Sequence, residues 1–167
     1  KDYLAYLKGA TESQRVMAKS KALALAKTYP RLSGTLTFLV DIQEWDEVEI
    51  LIINHAKADT LDGVNYSLYR KLSTSLMQHG KDLAATLLRR VLVLNVLEKG
   101  QSRYYHYAVS DLKKACDFAQ TVIDWQGFAT HQVFMQTLQT QHARKHAFWS
   151  KIDLANVMDR NSEFDVV

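Results

Sequence analysis

The segment from Leu83 to Leu97 constrains this chain most. It carries Leu83, Leu87, Leu88, Val91, Leu92, Leu94 and Val96, positions that at 3.6 residues per turn fall on more than one side of a helix. A helix apolar on several sides must be covered by neighbours on at least two of them, so this segment is expected at the centre of a helical fold. Asp82 is placed to cap its start, and Gly100 to stop it.

The flanking sequence supplies helices to cover it. Glycines at 9, 63, 80, 100 and 127 and the lone Pro30 leave helix-length stretches between them. Thr11 and Gln14 form a capping-box pattern, opening a helix with Val16, Ser20, Leu23 and Ala24 on one stripe and Arg15 and Lys19 on another face. Ser33 is a candidate cap for a helix with Leu36, Leu39 and Val40 inward. Ile50 to Ile53 alone reads as a buried strand, but its acidic lead-in and the lack of a strand partner favour helix from Trp45 to His55. Leu68, Leu72, Leu76 and Met77 form a stripe ending at His79-Gly80. After Ser102, a candidate cap, Tyr104, Ala108, Leu112, Ala115, Ala119 and Val122 share one face. A further helix carries Val133, Phe134 and Leu138, and it either continues or breaks before Phe148, Trp149 and Ile152. Phe148 and Trp149 follow at spacings that return aromatic bulk to the core, so His142 to Trp149 is expected to close the helical stack, with Arg144 and Lys145 near solvent at a helix end.

Short connections between amphipathic helices imply antiparallel hairpins. The expected fold is all-α, with stacked hairpins in a tetratricopeptide-like α-solenoid. An irregular helical bundle is the alternative, because Asn65 to Gly100 and Gln101 to Ile152 do not align residue by residue. With 167 residues, the chain is read as a single helical-repeat domain over 1–167, with a flexible acidic tail over 159–167. It begins at Lys1 and enters a helical pattern at once, as a C-terminal fragment of a longer protein would.

The single cysteine, Cys116, sits among Ala115, Phe118 and Ala119 and is expected to be a small core residue. It excludes an internal disulfide and any multi-cysteine metal site. Apolar runs such as Val91 to Leu94 fall far short of the roughly 20 residues that span a bilayer, so a cytoplasmic protein without membrane contact is expected. The net charge is +3, unevenly spread. Lys1 to Arg31 has seven basic and two acidic residues, Asp41 to Asp62 seven acidic and one basic, and Arg70 to Lys151 twelve basic and five acidic. Such blocks form solvated faces or interaction surfaces.

Leu83-Ala-Ala-Thr-Leu-Leu-Arg-Arg90, Arg103-Tyr-Tyr-His-Tyr-Ala-Val-Ser-Asp-Leu112 and His142-Ala-Arg-Lys-His-Ala-Phe-Trp149 together resemble a family of uncharacterised bacterial helical proteins, similar in turn to the helical C-terminal region of SWIM zinc-finger proteins. The resemblance implies a helical domain of unknown function and transfers no catalytic residue. A zinc finger needs several cysteines and this chain has one, so any such finger would lie upstream in a longer protein or be absent.

No reaction centre is legible. His142 and His146, four apart, would share a helical face and supply half a zinc site, but further ligands and a His-Glu-x-x-His pattern are missing. No serine lies in a recognisable elbow and no glycine-rich phosphate loop is present. Asp41, Glu44, Asp46, Glu47 and Glu49 read as a solvated acidic face. No catalytic residue, metal or cofactor is therefore expected. The candidate binding surface is Arg103, His106, Tyr107, Lys113 and Lys114 on the Tyr-rich helix, with Arg144 and Lys145 after the next, where basic groups interleave with aromatics. The leading expectation is a non-catalytic helical-repeat module that binds a protein partner. The alternatives are a nucleic-acid-binding accessory domain using the basic face, and an enzyme with an unrecognised site.

Overall fold

The computed structural model describes residues 2–27, 29, 31–61 and 65–152, and every regular element in them is a helix. Pro30, Gly63 and the acidic stretch 159–167 lie outside the described residues. The chain forms two compact units, 1–50 and 51–167.

The first unit contains α1 (Asp2–Gly9), α2 (Glu12–Lys27), α3 (Leu32–Asp41) and the start of α4 (Trp45–Lys57). The capping box forms at the head of α2: Thr11 N–H donates to Gln14 Oε1 at 2.9 Å, and Gln14 N–H donates to Thr11 Oγ1 at 3.4 Å. The stripe expected along α2 does not form. Val16, Ser20 and Ala24 are exposed and Leu23 is half-buried, whereas Ala26 is buried. The reason is that α2 is anchored to α3 at its C-terminal turn, where the buried Thr35 hydroxyl donates to the Ala26 carbonyl at 3.1 Å. Ser33 lies inside α3, and Arg31, which makes no side-chain cap, precedes the helix. Leu36 and Leu39 point inward as expected; Val40 is only half-buried. Within α4, Val48 and Ile52 are fully buried while Ile50 is exposed. That spacing of four residues is helical, which settles the Ile50 to Ile53 run.

The second unit continues α4 and adds α5 (Tyr66–Gln78), α6 (Asp82–Glu98), a 3-10 turn (Ser102–Tyr104), α7 (Tyr105–Ala119), α8 (His131–Gln141) and α9 (His146–Trp149). Asn65 caps α5 by accepting from the Leu68 N–H at 3.2 Å, and Gly80, at φ 67°, lets the chain turn into α6. Asp82 is the first residue of α6, one place past the cap it was expected to be, where its charge favours the positive end of the helix dipole. α6 packs against both α5 and α7. It buries Leu83, Leu88, Leu92, Val93, Val96 and Leu97, and leaves Val91 and Leu94 half-buried. This layout is compatible with the irregular helical bundle.

The 3-10 turn resets the register of α7. With three residues per turn instead of 3.6, it leaves Tyr104 exposed and buries Tyr105, so the inward face is Tyr105, Ala108, Leu112 and Ala115. Ser102 starts that turn and makes no side-chain cap. Cys116 is buried. On α8, Met135 is fully buried beside Phe134 and Leu138, whereas Val133 is about half exposed. Phe148 is completely buried and meets Tyr105 edge-on at 5.7 Å. Trp149 is fixed by its Nε1–H, which donates to the His142 carbonyl at 2.8 Å. His142 ends α8 and Lys145 precedes α9, so His142 and His146 do not share a helical face, and Arg144 and Lys145 lie in the connecting turn, not at the end of a long helix.

Candidate functional site

On α7 the inward register 108, 111, 112, 115 includes an acid: Asp111 is 1% exposed. A carboxylate in that position requires cations, and two arrive. Arg70 from α5 donates to it through Nε at 3.0 and 3.1 Å and through Nη2 at 2.6 Å. Arg89 from α6 donates through Nη1 at 2.7 Å, and its Nη2 donates to the Arg70 carbonyl at 3.0 Å. One carboxylate therefore joins three helices and neutralises only one of the two guanidiniums it holds. Its hydrogen bond pushes the Arg70 pKa above the ordinary arginine value, so this charge persists.

Toward solvent the network continues as an aromatic ladder. The Arg70 guanidinium lies 4.9 Å from the Tyr107 ring and 5.9 Å from the Tyr66 ring, and the Tyr66 hydroxyl donates to Asn95 Oδ1 on α6. His106 rests against Tyr107 at 4.0 Å, Tyr104 follows at 6.4 Å, and Arg103 covers Tyr104 at 4.6 Å. These residues border a cleft of about 520 Å³ walled by Tyr66, Arg70, Val96, Lys99, Gln101, Arg103, Tyr104 and Tyr107. Every charged side chain in its wall is a cation. Lys145 adjoins it, since a Cβ placed on Gly100 would lie 3.7 Å from Lys145 Nζ.

Of the residues expected to form a binding surface, Arg103 and Tyr107 line the cleft, His106 stacks on Tyr107, and Lys145 stands beside the Gly100 turn. Lys113 and Lys114 are exposed elsewhere on α7, with Lys114 paired to Asp117 at 3.3 Å, and Arg144 is exposed in the α8–α9 turn. Sequence reasoning missed Arg70, Arg89, Asp111, Lys99 and Tyr66. The available signal was Asp111 itself, an acid on an otherwise apolar stripe, together with two arginines inside the most apolar helix.

The second of those arginines, Arg90, has a different role. It is 5% exposed, lies between the Trp125 and Phe134 rings at 4.6 and 4.5 Å, and donates through Nη1 to the Ala129 carbonyl at 2.7 Å. Burial with no carboxylate beside it pushes its pKa down to about 10. It remains charged at neutral pH and pins the connection between α7 and α8. The first unit holds a separate, mainly apolar cavity of about 410 Å³ among Tyr3, Leu25, Tyr29 and Phe38. Among the described residues no three His, Cys, Asp or Glu side chains cluster as a metal site would require, and no helix is long and apolar enough to cross a membrane.

Fold and cleft define an all-helical protein with a cationic, tyrosine-lined depression on its second unit. The chain belongs to DUF6880, a family of unknown function, which matches residues 1–151. Comparisons with curated proteins and with solved structures find no match.

Proposed function

We propose that this chain is a non-catalytic helical interaction module whose cleft receives an acidic segment of a partner protein. The observation that carries this reading is the surplus of positive charge: Asp111 balances one of Arg70 and Arg89, and Lys99 and Arg103 stand in the same wall with no acidic neighbour lining it. Stacking on tyrosine rings holds the guanidiniums in place, so less side-chain entropy is lost when an anion docks. In this reading the α5–α6 and α7–α8 hairpins act as successive units of a short solenoid, and the cleft lies where one passes into the other. We extend the proposal to an accessory role in the cytoplasm, of the kind that the sequence resemblance to the region beside SWIM zinc fingers implies.

Protein binding is favoured over nucleic acid by the state of the rings. Tyr107 already carries Arg70 and His106, and Tyr104 carries Arg103, whereas base stacking needs open aromatic faces. Fluorescence anisotropy with a labelled hexaglutamate peptide tests the reading. Binding should fall at least tenfold in Arg103→Glu and Lys99→Glu, and little in Lys113→Glu. Equal loss in all three would reduce the cleft to general surface charge, and tighter binding of a thymidine hexanucleotide would favour the nucleic-acid alternative.

A further inference from the structure

We infer that the cleft reads a phosphate monoester on the partner segment, an inference that rests on the acidic-segment reading above. A single carboxylate carries one negative charge, and the surplus from the Arg70–Asp111–Arg89 group alone would match it. Lys99 and Arg103 add two further cations to the same wall, which suits a dianion with three acceptor oxygens. Geometry adds a second reason. Arg70 spends Nε and Nη2 on Asp111, a fork that fixes the plane of its guanidinium, while its side chain remains 30% exposed. The Arg103 guanidinium lies over the Tyr104 ring, 4.6 Å from its centroid. Two ring-stacked guanidiniums and an exposed ammonium are the parts from which arginine-based phosphate recognition is built. Val96 and the Tyr66 ring supply an apolar wall for the carrier's stem, and the volume, about 520 Å³, accommodates one phosphorylated side chain but not a folded domain.

The probes are a labelled pentapeptide with phosphoserine flanked by glutamates, the same peptide with glutamate replacing phosphoserine, and inorganic phosphate as competitor, all with the intact chain. The phosphopeptide should bind about tenfold more tightly than its glutamate counterpart, and Arg103→Gln and Lys99→Gln should each remove most of that advantage. Both side chains are exposed, so the variants should melt with the parent. A pH profile separates phosphate from simple charge. The second phosphate ionisation lies near 6, so the advantage should shrink as pH falls from 7.5 to 5.5. The charged and titratable groups in and behind the cleft wall are Arg70 on α5 backed by Asp111 on α7 and Arg89 on α6, Lys99 at the end of α6 and Arg103 in the 3-10 turn, with His106 resting on Tyr107 and Lys145 beside the Gly100 turn. Repeating the profile in His106→Gln, which removes the imidazole resting on Tyr107, should leave this trend in place. Equal affinity for the two peptides would overturn the phosphate assignment and leave the acidic-segment reading standing, whereas failure of both peptides to bind would overturn both. Inorganic phosphate binding as tightly as the phosphopeptide would overturn the assignment to a partner's side chain.

Discussion

The Arg89 guanidinium reaches the Asp111 carboxylate at 2.7 Å where both side chains are more than nine-tenths buried. Arg70 shares that carboxylate, so the two halves of the network differ in what their loss leaves behind. Asp111→Ala strands two guanidiniums, one of them deeply buried, and should cost about 3 to 5 kcal/mol. Arg89→Met leaves Asp111 paired with Arg70 and puts an apolar chain into an apolar helix, so it should cost less than half as much. Urea unfolding of the two variants checks the order. Equal losses would mean that Arg70 alone does not satisfy the carboxylate.

Arg90 gives the contrasting case. Its folded-state pKa, about 10, lies below the ordinary arginine value, so the folded chain binds its proton less tightly than the unfolded chain does. The burial penalty on this charge is present in full below about pH 10 and is relieved only as pH rises through that value toward the ordinary arginine pKa. Arg90→Met removes that penalty together with two ring contacts and the bond to Ala129, and these changes offset one another. Stability should therefore change by less than about 1 kcal/mol. The link to residues 120–130 should loosen, and limited proteolysis there should accelerate. A loss as large as that of Asp111→Ala would show that the cation–ring contacts outweigh desolvation.

The central position of α6 was readable because its apolar residues outnumber what one face can hold, and the capping box at Thr11 because its pattern is local. The Asp111 network was not readable in the same way. Its partners lie 41 and 22 residues away, and only packing of α5 and α7 on α6 brings them together. The same limit explains Tyr104 and Tyr105. Periodicity assigns Tyr104 to the core, but one 3-10 turn rotates the register and exchanges their positions. Arg103 and Tyr107 were identified as surface residues, yet the cleft between them depends on Arg70 and Lys99, which belong to other elements.

Closure of the second unit rests on two residues with separable contributions. Phe148 is wholly buried against Tyr105, and Phe148→Ala should cost about 3 to 5 kcal/mol. Trp149→Phe keeps most of the ring and removes only the donor to the His142 carbonyl, and it should cost about 1 kcal/mol. Thermal melts monitored by circular dichroism distinguish them, and a Phe148→Ala variant that melts with the parent would remove the closure role.

His142 supplies a pH-dependent contribution at the same place. Burial, and after it the charge of Lys145, pushes its pKa below the ordinary histidine value, opposed by Glu98. The unfolded chain therefore binds this proton first as pH falls, and the unfolded state gains. The contribution is intact above about pH 6.5 and is lost as pH drops through the folded-state pKa. His142→Gln should flatten the fall in melting temperature between pH 6.5 and 5. Proton NMR gives the sharper check, because the causes have opposite signs. Lys145→Gln should move the imidazole midpoint up toward 6.5, and Glu98→Gln should move it further down. A midpoint indifferent to both would leave burial as the sole cause of the shift.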